Sequence, residues 1–271
     1  MRKIIDANCL ETPILQQYLQ GDPKNMAVLT EFAGMEVYKG DPVVNICNSM
    51  KILCQYPTQV IVLKGARQII MENQTPSDAD ISSFIDEEQT KNFAQTCEVI
   101  NEARKGNPLA ITPILEHGKR STEEMERLQK DAAKILEGIG AVIKTYNPDH
   151  LKILRKRSPI TEELANRIIR DIVMIAALLI KGHPDTTLVP SARELKNTYI
   201  LRFSLCGYLL VLDWIEKGGP YKVKLDRLRN DFIDMSYAAY ATFCDGIISR
   251  DQKLTIVYQR ALYFLETVFG A

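Results

Sequence analysis

The chain opens on two short apolar runs, "KII" from Lys3 and "MAVL" from Met26. Between them lies "TPILQQYLQ", whose apolar residues recur at helical spacing. "PVVNICNSMKILCQY" from Pro42 again has helical spacing, and "QVIVL" after it is strand-like. Such alternation predicts βαβ units and a parallel sheet. From about Thr75 the pattern changes to helix after helix. "SDADISSFIDEEQTKNFAQTCEVINEARKG" starts with capping residues, Asp78 and Asp80 among them, and ends at Gly106. "STEEMERLQKDAAKILEGIG" places Glu124 three residues after Ser121, a capping box. "ITEELANRIIRDIVMIAALLIKG" and "SARELKNTYILRFSLCGYLLVLDWIEKGG" predict two more helices, the last stopped by Gly218-Gly219-Pro220. The chain then returns to helix, strand and helix, with "RNDFIDMSYAAYATFC" helical over 231–244 and "GIIS" a strand.

Composition narrows the class without naming partners. Of 271 residues, 46% are hydrophobic and 25% charged, as in a globular protein with a sizeable core. Lys+Arg and Asp+Glu both count 34, so any nucleic-acid site must be a local patch rather than a global field. The six cysteines form no CxxC pair and read as buried reduced thiols. Three scattered histidines, His117, His150 and His183, argue against a His/Cys zinc site. "MRKIIDANCL" reaches Asp6 after only two isoleucines, which does not fit a signal peptide. The apolar stretch from Ile168 carries Arg170 and Asp171 and is too short for a bilayer, so it predicts a buried helix. No membrane partner is expected, and the cytoplasm is the default location.

The chemistry lies in acidic residues at strand ends. Asp6 follows the first strand, and open parallel sheets place ligands outside the carboxyl ends of their strands. In "FCDGIISRDQKL", Asp245 opens the last strand and Asp251 closes it. The preceding helix carries Asp231 and Asp234 on one face and advances roughly 16 Å over eleven residues. The strand then returns the chain by nearly the same distance. Asp251 is therefore expected beside Asp231 and Asp234, and Asp245 at the opposite edge, more than ~10 Å away. Glu36 follows "MAVL" after a short turn, with Glu31 as a rival because the helix register is open. Carboxylates gathered without histidine or cysteine suit Mg²⁺ or Mn²⁺. Each taken alone has a plainer role as a cap, a turn residue or a solvated charge.

Three stretches together resemble the PIN-like nuclease superfamily. "KIIDANCL" is similar to its first motif, a strand ending in Asp6 with Asn8 two residues on. "MAVLTEFAGMEVYKG" is similar to the second, with Thr30 and Glu36. "DMSYAAYATFCDGIISRD" is similar to the last two, from Asp234 to Ser249 and Asp251. The resemblance implies an α/β, PIN-like parallel-sheet domain, split into residues 1–74 and 221–271 by a mostly helical insertion over 75–220. It also implies divalent-metal-dependent hydrolysis of phosphodiester bonds, commonly in RNA. Mg²⁺ or Mn²⁺ would be held by Asp6, Glu36, Asp234 and Asp251, with Asp231 adding a second ion or a water. Asn8, Thr30 and Ser249 would orient those ligands. Lys39, Arg250 and Lys253 would contact phosphates. Arg202, in apolar "YILRFSLCGYLL", needs an anionic partner if buried, and a carboxylate or phosphate could supply it. A second copy of the chain or a regulatory protein are further expected partners. The alternative is a nucleic-acid- or protein-binding module on the same fold, without hydrolysis.

Overall fold

The computed structural model describes residues 1–72, 79–182, 190–218 and 225–270. Both expected domain boundaries, near 74/75 and 220/221, lie outside these residues, as do Asp78, His183, Gly219 and Pro220. Four strands, β1 (Arg2–Ile5), β2 (Met26–Leu29), β3 (Val60–Val62) and β4 (Ile247–Ile248), form one sheet of order β3-β2-β1-β4. Every neighbouring pair is parallel. The fold is α/β, as the alternation of periods predicts.

The connections follow from local chemistry. Helix α1 (Pro13–Gly21) begins at a proline whose missing N–H costs nothing in a first turn, and it buries Leu15 and Leu19 one turn apart. Thr30 caps α2 (Glu31–Glu36) by accepting from the Ala33 N–H. Asp41 caps α3 (Pro42–Ser49) through the Val43 and Val44 N–H groups. After β3 comes α4 (Ala66–Glu72).

The long helix expected up to Gly106 is broken into three pieces. A 3₁₀ turn (Ile81–Phe84), α5 (Glu87–Lys91) and α6 (Phe93–Arg104) replace it. The reason is that its aspartates act as separate caps. Asp80 accepts from the Ser82 N–H, and Asp86 accepts from the Gln89 N–H, so the chain restarts at each. At the break, Leu63 and Ile85 form an antiparallel bridge that ties the segment to the chain leaving β3. The next correction is the capping box. Ser121 and Glu124 lie inside α7 (Pro108–Lys144), which starts where Asn107 accepts from the Leu109 N–H. Glu124 there pairs with Arg127 on its own helix at 2.8 Å.

Beyond α7 come α8 (Pro148–Lys156), α9 (Glu162–Gly182), α10 (Ala192–Leu195), α11 (Tyr199–Glu216), α12 (Leu225–Ala241) and α13 (Gln252–Phe264). The "SAREL…" segment is thus two helices, because Ser191 and Thr198 each cap one. The helix expected to run to Cys244 ends at Ala241. Among the described residues no helix is long and apolar enough to cross a membrane.

Two compact units result. The first is Met1–Ile69, Asp80–Arg127 and Tyr240–Thr255; the second is Ile70–Ala79, Leu128–Ala239 and Ile256–Ala271. This division differs from the expected one: residues 80–127 go with the sheet, and most of α12 goes with the helical unit. In the first unit both sheet faces are covered. Ile5, Ala27, Leu29, Val60 and Ile248 share a core with residues of α1, α3, α6 and the start of α7, while Ile4, Val28 and Ile61 are buried as well. A parallel sheet covered on both faces needs such unbroken apolar strands. Within that core Cys54 and Cys97 form a disulfide, which corrects the expectation of six reduced thiols; Cys9 and Cys47 are free and buried.

In the second unit, α9 buries Leu164, Ile168, Ile172, Ala176 and Ile180, spaced every four residues, and α9 and α8 both pack on α11. The Tyr208 hydroxyl donates to Asp171 at 2.7 Å, and Arg167 lies 4.1 Å from the Tyr146 ring centroid. The stretch from Ile168 is not wholly buried as expected, because Met174, Leu178 and Leu179 are exposed.

Candidate functional site

β1 and β4 are parallel neighbours, so their carboxyl ends share one edge of the sheet. Ile5 pairs with Ile248, and the Asp6 N–H donates to the Ile248 carbonyl at 3.0 Å. Asp6 is buried just past this pairing. Its Oδ1 accepts from the Asn8 N–H at 3.3 Å, capping a 3₁₀ turn over Ala7–Cys9. Its Oδ2 accepts from the Ser249 hydroxyl at 2.5 Å. The same hydroxyl oxygen accepts from the Asp251 N–H at 2.9 Å. Ser249 thus joins the two aspartates.

Asp251 is also the cap of α13, its Oδ1 accepting from the Lys253 N–H at 2.7 Å and the Leu254 N–H at 3.1 Å. Both aspartates therefore fill the plain structural role that their loop positions allow. They also meet electrostatically. Burial raises the Asp6 carboxyl above the ordinary aspartate range and the Asp251 charge adds to this, while hydrogen bonds from Ser249 and Asn8 oppose it. Asn8 completes the turn: its Oδ1 accepts from the Arg250 N–H at 3.3 Å and from the Cys9 thiol at 3.1 Å.

Glu36 and Glu31 separate in this structure. Helix α2 lies against the 3₁₀ turn that follows Asp6, and Glu36 is its last residue, half-buried. Glu31 instead reaches the chain after β3, where its Oε1 accepts from the Ala66 N–H at 2.8 Å. A Cβ added at Gly65 would stand 2.8 Å from the Glu31 Oε2, so the glycine is what lets the carboxylate in. Burial raises the Glu31 carboxyl, and the charges it feels are those of Glu124 and Arg127 on α7. The sequence gives Gly65 no evident role; its one signal is a glycine three residues past a buried strand.

Asp231, buried, and Asp234, half-buried, lie on α12 in the second unit, whereas Asp6, Glu36 and Asp251 belong to the first. Among the described residues no group of three or more His, Cys, Asp and Glu side chains could hold a metal ion. What the first unit brings together is a pair of aspartates. No protein-family model, curated protein or solved structure matches the chain.

The basic residues divide as well. Arg250 is exposed between Ser249 and Asp251, and Lys253 is half-buried. Lys39 is exposed, with its carbonyl accepting from the Asn45 amide. Arg202 is buried in α11 of the second unit, and its Nε–H goes to the Lys196 carbonyl at 3.1 Å. Burial lowers this guanidinium to about 10.

Asp245 sits at the other edge. Its Oδ2 accepts from the Arg2 N–H at 2.6 Å, and its own N–H donates to the Arg2 carbonyl at 2.8 Å. It closes the amino end of the β1–β4 ladder, away from Asp6.

The donors at the carboxyl edge suit a hard cation. Mg²⁺ is commonly held by one or two carboxylates, with waters and substrate phosphate completing its shell. Asp6 and Asp251 supply that minimum, and the capping of α13 uses only one Asp251 oxygen.

Proposed function

We propose that this chain is a divalent-metal-dependent nuclease that hydrolyses phosphodiester bonds, with RNA the favoured substrate and the cytoplasm its place of action. The observation that carries the reading is the Asp6–Ser249–Asp251 link at the carboxyl ends of two adjacent parallel strands. Burying one carboxylate near another is costly unless a proton or cation arrives. Asp6 and Asp251 would hold Mg²⁺ or Mn²⁺, and Glu36, in the same unit, would add a ligand from α2. The ion would activate a water and offset charge on the reacting phosphate. Ser249 fixes the Asp6 carboxylate by donating to it, and Asn8 and Thr30 hold the two turns that present Asp6 and α2. Arg250, Lys253 and Lys39 are the proposed phosphate contacts, from positions next to the acids.

The test is an assay of the purified full chain on mixed RNA and DNA with Mg²⁺, Mn²⁺ or chelator. Metal-dependent cleavage that chelator abolishes supports the reading, and intact substrates in every condition refute it. A second reading draws on the lack, among the described residues, of a three-carboxylate group. On it the chain binds nucleic acid or protein without cutting. RNA retention in chelator with no cleavage in Mn²⁺ would select it.

A further inference from the structure

The second unit contains an apolar pocket of about 380 Å³, walled by α9, α11 and α12 with Val142 of α7. That volume lies within the range of small-molecule sites. Three of its wall residues, Met174, Leu178 and Leu179, are 49%, 60% and 45% exposed. Among the described residues no charged side chain lines it. Two polar ones do, Ser204 and Tyr208, and their hydroxyls differ in use. The Tyr208 hydroxyl is spent on Asp171 and Tyr146. Ser204 is 4% exposed, and its Oγ, closed off behind the pocket wall, has no hydrogen-bond partner among the described residues.

A mid-helix serine ordinarily bonds back to the carbonyl four residues earlier or faces water. Ser204 does neither, and a buried hydroxyl without a partner is unfavourable until something pairs with it. We infer that this pocket binds a neutral, mainly aliphatic small molecule carrying one hydroxyl or carbonyl oxygen, which pairs with Ser204 as the side chains of the wall shift to admit it. A charged ligand is disfavoured because the walls offer its charge no partner. The inference goes beyond the nuclease reading and does not depend on it.

The chain provides its own reporter. Trp214 is its single tryptophan, is 5% exposed and lines the pocket. The experiment is a fluorescence titration of the full chain with 1-decanol, 1-chlorodecane and decyltrimethylammonium. The expected result is a saturable change in Trp214 emission that is tightest for 1-decanol. Ser204→Ala is expected to weaken 1-decanol about tenfold, as for one lost hydrogen bond in a dry site, and to leave 1-chlorodecane unchanged. This variant removes an unpaired hydroxyl, so its unliganded melting temperature is expected to equal or exceed that of the parent. Leu178→Asp, at an exposed position, should weaken 1-decanol and 1-chlorodecane by placing a charge at the apolar rim. No saturable response, equal affinity of the parent and Ser204→Ala for 1-decanol, or tightest binding of the ammonium overturns the inference. So does a dimer that buries Trp214 and ignores 1-decanol, which would assign the surface to a second copy.

Discussion

Two aspartates bridge the same pair of strands at opposite edges of the sheet, and their fates diverge. At the amino edge Asp245 exchanges two hydrogen bonds with the Arg2 backbone and stays exposed. At the carboxyl edge the Asp6 carboxylate accepts two hydrogen bonds where that of Asp245 accepts one, yet Asp6 is buried and lies near a second carboxylate. Hydrogen bonding to the carboxylate is thus common to both edges and does not by itself distinguish them. Burial beside like charge does, because it raises the free energy of the ionised form and leaves room for a cation to lower it.

The sharpest test of this contrast replaces charge without shape. Asp6→Asn and Asp251→Asn are each expected to slow metal-dependent RNA cleavage by at least about 100-fold, roughly 2.7 kcal/mol of barrier. Circular dichroism should show both variants folded, since asparagine keeps an acceptor oxygen for each capped turn. Unchanged rates in both would end the nuclease reading.

Ser249→Ala comes next in size. It leaves Asp6 buried without its shortest hydrogen bond and frees the Asp251 N–H. A rate loss of about tenfold and a stability loss of about 1–3 kcal/mol are expected, by single-turnover cleavage and by urea denaturation. A loss in stability alone would make Ser249 a structural tie between β4 and β1, and nothing more.

How far the sequence reached the two edges is instructive. The strands were legible because a parallel sheet covered on both faces demands unbroken apolar runs, and "KII", "MAVL" and "QVIVL" are such runs. Asp245 and Asp251 could be told apart because a strand of known rise lies between them, and the structure puts Asp245 on Arg2, at the amino edge. The breaks at Asp80 and Asp86 escaped, since a cap residue inside a polar stretch looks the same whether it opens one helix or three. Glu31 and Glu36 could not be separated without knowing that Ala66 takes one of them. Nor does helical periodicity tell which unit a helix joins, which is why Asp231 and Asp234 were assigned to the sheet domain.

A smaller effect comes from pH. The folded Asp6 carboxyl titrates above its unfolded value, so the folded state holds that proton more tightly. The stability this contributes is full below the ordinary carboxylate range and is lost as pH rises through the raised Asp6 range. Asp6→Asn should flatten that part of the melting-temperature profile, whereas Asp245→Asn should leave its fall in place. At neutral pH, Mg²⁺ at ten times its dissociation constant should stabilise the parent by about 1.4 kcal/mol, and Asp6→Asn by much less. Equal Mg²⁺ shifts in the two proteins would place the cation elsewhere.

The smallest expected effect belongs to Asp245→Ala, which probes the other half of the comparison. The substitution removes the carboxylate that accepts from the Arg2 N–H but keeps the backbone bond from the residue 245 N–H to the Arg2 carbonyl. Because the site is exposed, water can take the vacated acceptor position, so the cost in urea denaturation should be no more than about 1 kcal/mol. The β1–β4 pairing of Ile4 with Ile247 and Ile5 with Ile248 lies beyond the change and keeps Asp6 beside Ser249. Cleavage should therefore stay within about twofold of the parent. If Asp245→Ala instead slows cleavage as much as Asp251→Asn does while the protein stays folded, the two edges do not differ in the way their burial implies. The catalytic reading of the carboxyl edge would then lose the contrast on which it stands.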